Sequence, residues 1–205
     1  MNNFIIKKIN PKTIYVGDNF NFGSNKSGDV ELLERMGRRL GFRAVKIRHL
    51  KISGRIISST LIRSLIRGGN LARASLFLGR PVSVFGEVIK GKGVGRILGF
   101  PTANVFCPQE AMPSPGVYAI KSIINGRKLL GMAFHIGAFA YSKKNKIKAN
   151  LEAHLFNFNN NLYGEEIEIE FYKRIRPIKR FKNQDYLKKQ IENDAREVRK
   201  FFRSF

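Results

Sequence analysis

The chain has 205 residues and one cysteine, Cys107, which leaves room for one large domain or two small ones and excludes both an intramolecular disulfide and a cysteine metal cluster. No apolar run reaches transmembrane length, and the start, Met1 to Lys8, carries its basic residues after the apolar ones, unlike a secretory signal, so a reducing, cytoplasmic setting is expected. The net charge of +23, from 38 Lys and Arg against 15 Asp and Glu, suits phosphorylated ligands, nucleic acid or an anionic membrane, but it is spread from Lys7 to Arg203 and reads as compositional background.

Lys12 to Val16 reads as a short strand running into the turn-rich loop Gly17-Asp18-Asn19-Phe20-Asn21-Phe22-Gly23. Asp29 is a plausible N-cap, Val30, Leu33, Met36 and Leu40 recur at helical spacing, and Gly41 is a fitting stop. Ala44 to Ile47 is the next expected strand. Strand, loop, helix and strand make one parallel α/β unit, too little to cover both faces of a sheet. In Ile57-Ser58-Ser59-Thr60-Leu61-Ile62-Arg63, Ser58 or Ser59 can cap a helix. Hydroxyls and free N–H groups there, with Arg63 one turn on, can hold a phosphate; an ordinary serine-capped helix is the plainer reading of the run. Gly68-Gly69-Asn70 leads to a second short helix, Leu71 to Leu78, and Gly79-Arg80-Pro81 ends helical character, which places a domain boundary between residues 79 and 80.

From Val82 the apolar period changes to two. Val82, Val84 and Gly86 alternate with Ser83, Phe85 and Glu87. Val117 to Ile124 and Lys128 to His135 flank Asn125-Gly126, a strong hairpin signal. Asn150 to Phe158 is a further strand, ended by Asn159-Asn160-Asn161, and Ile167, Ile169 and Phe171 mark the next. Lys143-Lys144-Asn145-Lys146 reads as a solvated basic loop. Five or six strands with no helix between them predict a closed antiparallel barrel. The last element is a helix over about Gln184 to Phe202, whose stripe of Leu187, Ile191, Ala195, Val198 and Phe202 predicts packing on the barrel.

Candidate chemistry gathers in Gly91-Lys92-Gly93-Val94-Gly95-Arg96-Ile97-Leu98-Gly99-Phe100-Pro101-Thr102-Ala103-Asn104. Four glycines free the backbone for close approach to a ligand, Lys92 and Arg96 add positive charge, and successive amides can form an anion-binding concavity. The oxygens of Thr102 and Asn104 suit a hard cation such as Mg²⁺. The run does not fit the Walker pattern, and a surface loop between strands is its plainer reading. Glu152 shares a strand face with His154 and Phe156, and a carboxylate on an apolar strand needs a partner or a task. His49, His135 and His154 lack metal-site spacing, and His154 is assigned no role.

Gly95-Arg96-Ile97-Leu98-Gly99-Phe100-Pro101-Thr102-Ala103-Asn104 closely resembles the riboflavin kinase signature of the bifunctional bacterial riboflavin kinase/FMN adenylyltransferase family. Gly116-Val117-Tyr118-Ala119, the block from Glu152 to Phe158 with Leu162 to Ile167, and Arg174-Ile175-Arg176-Pro177 resemble its later segments. Ile57 to Arg63 and Gly79-Arg80-Pro81 resemble the end of its adenylyltransferase module. The resemblance implies an α+β chain: a six-stranded antiparallel barrel with a C-terminal helix over 80–205, preceded over 1–79 by a partial, Rossmann-like α/β nucleotidyltransferase segment. It implies transfer of the ATP γ-phosphate to the riboflavin 5′-hydroxyl, giving FMN for flavin-nucleotide biosynthesis. Glu152 would be the general base. Thr102 and Asn104 would hold Mg²⁺ and phosphates, and Gly91, Gly93, Gly95, Arg96, Gly99 and Pro101 would border the nucleotide. Arg176 and Phe181 would border the flavin, and Ser59, Thr60 and Arg63 would hold the triphosphate of a second ATP. The family's His-x-Gly-His segment is not in the sequence, so adenylyl transfer by this chain is not expected. The segment from His135 to Ser142 and the asparagines Asn157, Asn159 and Asn161 depart from the family pattern. A non-catalytic flavin- or nucleic-acid-binding protein is the alternative; no membrane partner is expected, nucleic acid is not favoured, and oligomeric state is left open.

Overall fold

The computed structural model describes residues 8–91, 93–108, 111–137 and 151–205, which leaves Lys92, the basic run at 143–146 and most of the altered segment after His135 outside the described residues. The chain forms two compact units, Met1–Ile57 and Ser58–Phe205.

In the first unit, β1 (Thr13–Gly17) and β2 (Arg43–Ile47) pair in parallel, from Thr13↔Arg43 to Gly17↔Ile47. Between them runs α1 (Val30–Leu40), where the Asp29 carboxylate accepts the Leu32 amide at 2.7 Å and Gly41, at φ 80°, ends the helix in the left-handed region. Val30 and Leu33 bury against Val16 and Phe42. A short hairpin, β3 (Lys51–Ile52) with β4 (Arg55–Ile56), follows; no alternation announces it in the sequence.

The second unit opens with α2 (Ser59–Arg67), and the cap is Ser58, whose hydroxyl accepts the Leu61 amide at 3.2 Å. Helix α3 (Leu71–Leu78) follows, capped by Asn70. The sequence places a boundary at 79/80, whereas packing divides the chain at 57/58. The reason is that Ile66, Leu71 and Ala74 share one buried cluster with Val82, Val84, Ile167, Ile169 and Phe171 of the barrel.

The barrel strands are β5 (Val82–Ile89), β6 (Ala103–Phe106), β7 (Gly116–Ile124), β8 (Arg127–His135), β9 (Leu151–Leu155) and β10 (Glu166–Arg176). They close in the order β10-β5-β6-β9-β8-β7, every pair antiparallel. The period-two pattern sends Val84, Val88, Val105, Ala133, Ala153 and Ile169 inward. Asn125 and Gly126, at φ 48° and 77°, make the two-residue β7–β8 turn that their pairing predicts. A single helical turn, α4 (Val94–Ile97), lies between β5 and β6. Among the described residues no helix is long and apolar enough to cross a membrane.

Helix α5 (Gln184–Arg203) lies on the outer face of the barrel, burying Ile191, Ala195 and Val198 against Ala119 and Met132. Its anchor is polar. Asp194, 2% exposed, accepts hydrogen bonds from Arg176 Nε and its terminal guanidinium nitrogen at 2.7–3.0 Å and from Gln190 Nε2 at 2.9 Å. A buried charge stripped of its partner is costly, so Asp194→Ala is expected to destabilise the chain by about 3–5 kcal/mol, read by denaturant unfolding.

Two histidines give the fold a pH dependence. Burial is the main cause holding His135 and His154 below the ordinary value of 6.5. For His135 the backbone of Ser114, Pro113 and Gly137 opposes this. For His154 the Pro101 carbonyl opposes it and the Arg199 charge reinforces it. The unfolded chain then takes up protons first, so the contribution of these two histidines to stability is full above pH 6.5 and is lost as pH falls through that value toward the lower folded pKa values. Unfolding measured from pH 8 to 5 is expected to show this decline, with a shallower slope in His135→Gln.

Candidate active site

The site grows from the short β6–β9 ladder. Its pairs are Ala103↔Ala153, Asn104↔Glu152 and Val105↔Leu151. Ala103, Val105, Leu151 and Ala153 belong to the barrel core, so the alternation turns Asn104 and Glu152 together onto the outer face. Across the other edge of β9, Glu152 pairs with Phe134, which packs into the cluster beneath α5. The half-buried carboxylate thus lies between an amide on one strand and an aromatic ring on the other. The Thr102 hydroxyl, just before β6, donates to Glu152 Oε2 at 3.4 Å.

The glycine-rich segment shapes this corner by close approach. A Cβ on Gly91 would fall 2.0 Å from Asn104 Nδ2, and one on Gly95 would fall 2.4 Å from the Phe100 carbonyl oxygen and 2.9 Å from Thr102 Oγ1. Gly93 and Gly99, at φ 70° and 84°, bracket α4 in the left-handed region. The segment is a helical turn rather than an open amide nest. The Arg96, Gly99 and Phe100 amides donate to the Gly93, Arg96 and Gly95 carbonyls at 2.8–3.1 Å and are already engaged.

Beside this corner opens a cleft of about 480 Å³. Thr102, Pro101 and Arg96 form one wall, Val88, Ala103, Ala153 and Leu155 the apolar floor, and Phe158 to Tyr163 the opposite wall. Among the described residues, Arg96 is the one charged side chain in this lining. Asn159, Asn160, Asn161 and Tyr163 carry no site role in the sequence reading, where the three asparagines read as a strand-ending turn and Asn159 and Asn161 as departures from the family pattern. The available signal was their place straight after the Glu152 strand.

The other expected residues lie apart from the cleft lining. The Arg176 guanidinium is bound by Asp194 and the Pro177 carbonyl, with the Phe181 ring 5.7 Å from its central carbon. Ser59, Thr60 and Arg63 are exposed on the first turns of α2, and none of them lines the cleft. For a metal, the corner supplies hydroxyl, amide and carboxylate oxygens, a hard-donor set suited to Mg²⁺, which takes few protein ligands and shares substrate phosphates. Among the described residues no group of three or more His, Cys, Asp or Glu forms a closed metal cage.

Comparison with known proteins converges on one family. Residues 78–202 match the riboflavin kinase (flavokinase) family model, and residues 1–61 match the FAD synthetase model. The chain is 41% identical to a bifunctional riboflavin kinase/FMN adenylyltransferase of Buchnera aphidicola subsp. Schizaphis graminum, covering 98% of this chain and 64% of the relative. It is 35% identical to the protein of the same name from Haemophilus influenzae, again over 98% of this chain and 64% of the relative. The chain therefore spans about two-thirds of the length of these curated relatives, just under that fraction at 64%. A solved Streptococcus pneumoniae structure named a macrolide-efflux protein superposes with a TM-score of 0.76 at 31% identity, covering 95% of this chain and 62% of that one. Together, the barrel, the helix packed on it and the match over 78–202 show that the chain belongs to the riboflavin kinase family.

Proposed function

We propose that the chain phosphorylates riboflavin, moving the γ-phosphate of ATP to the 5′-hydroxyl and releasing FMN and ADP. The observation that carries this is the pairing of Glu152 between Asn104 and Phe134, at the border of the Arg96 cleft and the apolar face beneath α5. The cleft suits a nucleotide: an apolar floor for a base and a guanidinium for phosphate oxygens. The flavin is set on the Phe134 side, against the segment from Arg176 to Phe181. Arg176 serves there by holding α5 and the Phe181 ring in place, since its charge is taken by Asp194. The compartment we propose is the cytoplasm, where a lone buried thiol such as Cys107, its pKa pushed up by burial to about 12, stays reduced.

In the reaction, the Glu152 carboxylate accepts the proton of the 5′-hydroxyl as its oxygen bonds to the γ-phosphorus. The bond from that phosphorus to the bridging oxygen of ADP breaks, and ADP leaves with the electron pair. Phosphoryl transfer needs positioning and charge stabilisation more than covalent help. The Thr102 hydroxyl and the Asn104 amide oxygen are the groups that would hold Mg²⁺, which when bound neutralises charge on the β- and γ-phosphates. Thr102 also orients the base through its hydrogen bond to Oε2. Arg96 adds a positive charge along the phosphate chain. The proposal is confined to the segment matched at 78–202; the residues before it, with Ser59, Thr60 and Arg63, are read as the adenylyltransferase-like part and carry no step here.

The purified chain is expected to form FMN from riboflavin only with ATP and a divalent cation, and EDTA is expected to stop it. Glu152→Gln keeps the shape and removes the base, so kcat should fall by about 10²–10⁴-fold with little change in ATP affinity; unchanged turnover would refute the assigned base. Gly91→Ala places a methyl group where the Asn104 amide lies, so that amide must swing away. The obstructing atoms end a flexible side chain, so the fold should survive while the Mg²⁺ concentration for half-maximal rate rises about tenfold or more.

A further inference from the structure

The β6–β9 ladder has an unusual end. Its last registered pair is Ala103↔Ala153, and continuing the register would set Thr102 against His154. Pro101 has no amide hydrogen and cannot donate to a ladder. The backbone that carries Thr102 therefore leaves the sheet just where its hydroxyl must be placed. A side chain takes over: His154 Nδ1 lies 2.8 Å from the Pro101 carbonyl oxygen. A carbonyl only accepts, so Nδ1 carries the proton.

The ring is well held. It is 8% exposed and lies edge-to-face against Phe100 at 5.4 Å and Phe156 at 5.6 Å. Phe156 is itself covered by the Arg199 guanidinium at 4.2 Å. By contrast, the bond from Thr102 to Glu152, at 3.4 Å, is at the outer edge of hydrogen-bonding distance. A shift of a few tenths of an ångström in the Pro101–Thr102 peptide makes or breaks it.

We propose that His154 is a positioning residue, its imidazole clamping the Pro101 carbonyl so that the Thr102 hydroxyl meets the Glu152 carboxylate. The clamp and the base it serves are two residues apart on one strand, so they move as a unit. The inference rests on the phosphoryl-transfer reading above, in which Thr102 and Glu152 act together. His154 exchanges no proton with substrate in this role, because Nδ1–H donates to the carbonyl in both the neutral ring and the imidazolium.

The test compares His154→Asn with His154→Gln in the full chain. The Asn amide can put an N–H where Nδ1 stands, whereas the Gln amide reaches toward the place of Nε2. Riboflavin phosphorylation by the Asn variant is expected within about threefold of the parent chain, and the Gln variant to lose about 10- to 100-fold in kcat with the riboflavin KM little changed. The NMR signal of the Thr102 methyl group should move in the Gln variant and stay in the Asn variant. Equal losses in the two variants, or a pH limb of kcat that disappears in the Asn variant, would overturn the clamp. If the parent chain makes no FMN, the riboflavin kinase reading falls, and the Thr102 methyl signal alone decides the clamp: moved in Gln and kept in Asn supports it, unmoved in both overturns it.

Discussion

Three residue pairs between β6 and β9 bear much of this structure. They close the barrel between β5 and β8, and they set Asn104 beside Glu152 on its outer face. Side chains alternate strictly along a strand, so a slip of one residue would turn Asn104 and Glu152 into the core and Val105 and Leu151 out to solvent. The apolar interior forbids that slip. Burial of Val105 and Leu151, both 0% exposed, thereby fixes which groups meet outside. The chemistry is placed by the hydrophobic effect acting on neighbouring positions, without an attraction between the polar groups themselves.

Close backbone approach does the rest of the shaping. Gly91 and Gly95 let the segment before β6 lie against Asn104, Phe100 and Thr102, where any larger residue would intrude. On the far side of Glu152 the constraint is electrostatic. Asp194 is buried on α5 and Arg176 ends β10, and their ion pair ties the helix to the barrel at one point. A buried pair of this kind adds little net stability over an apolar pair, but it fixes orientation, since any other seat for the helix would strand a charge. Thr102 of the cleft lining and Phe134 beneath α5 therefore stand on either side of the Glu152 carboxylate.

The overall charge of +23 is not concentrated in the described lining of the cleft. Among the described residues, Arg96 is the one charged side chain in the cleft lining. The remaining basic residues are distributed over both units, and several are taken up locally: Lys121 lies 4.7 Å from the Tyr172 ring centre and 5.2 Å from that of Phe205, and Lys46 lies 3.7 Å from Glu31.

The local elements were legible because their causes are local. Caps at Asp29 and Ser58, the Asn125-Gly126 turn and the α5 stripe each depend on a few neighbouring residues and appear within a residue or two of their expected places, whereas the strand expected to reach Phe158 ends at Leu155 and the one marked by Ile167 to Phe171 runs on to Arg176. Strand periodicity pointed to a closed antiparallel barrel, and resemblance carried the sequence further, to six strands and the family. Three features depended on residues far apart in the chain and needed the tertiary structure. The helices α2 and α3 join the barrel because their apolar faces complete its core, although a glycine-proline break separates them in sequence. The asparagine wall of the cleft and the neutralisation of Arg176 by Asp194 arise only when the barrel closes. His154 had no assignable task in the sequence, since the Pro101 carbonyl that gives it one lies 53 positions away. Sequence by itself determined which residues could act, through their chemistry and local spacing; tertiary structure decided which of them meet, because strand register and core packing are settled only when distant segments bury one another.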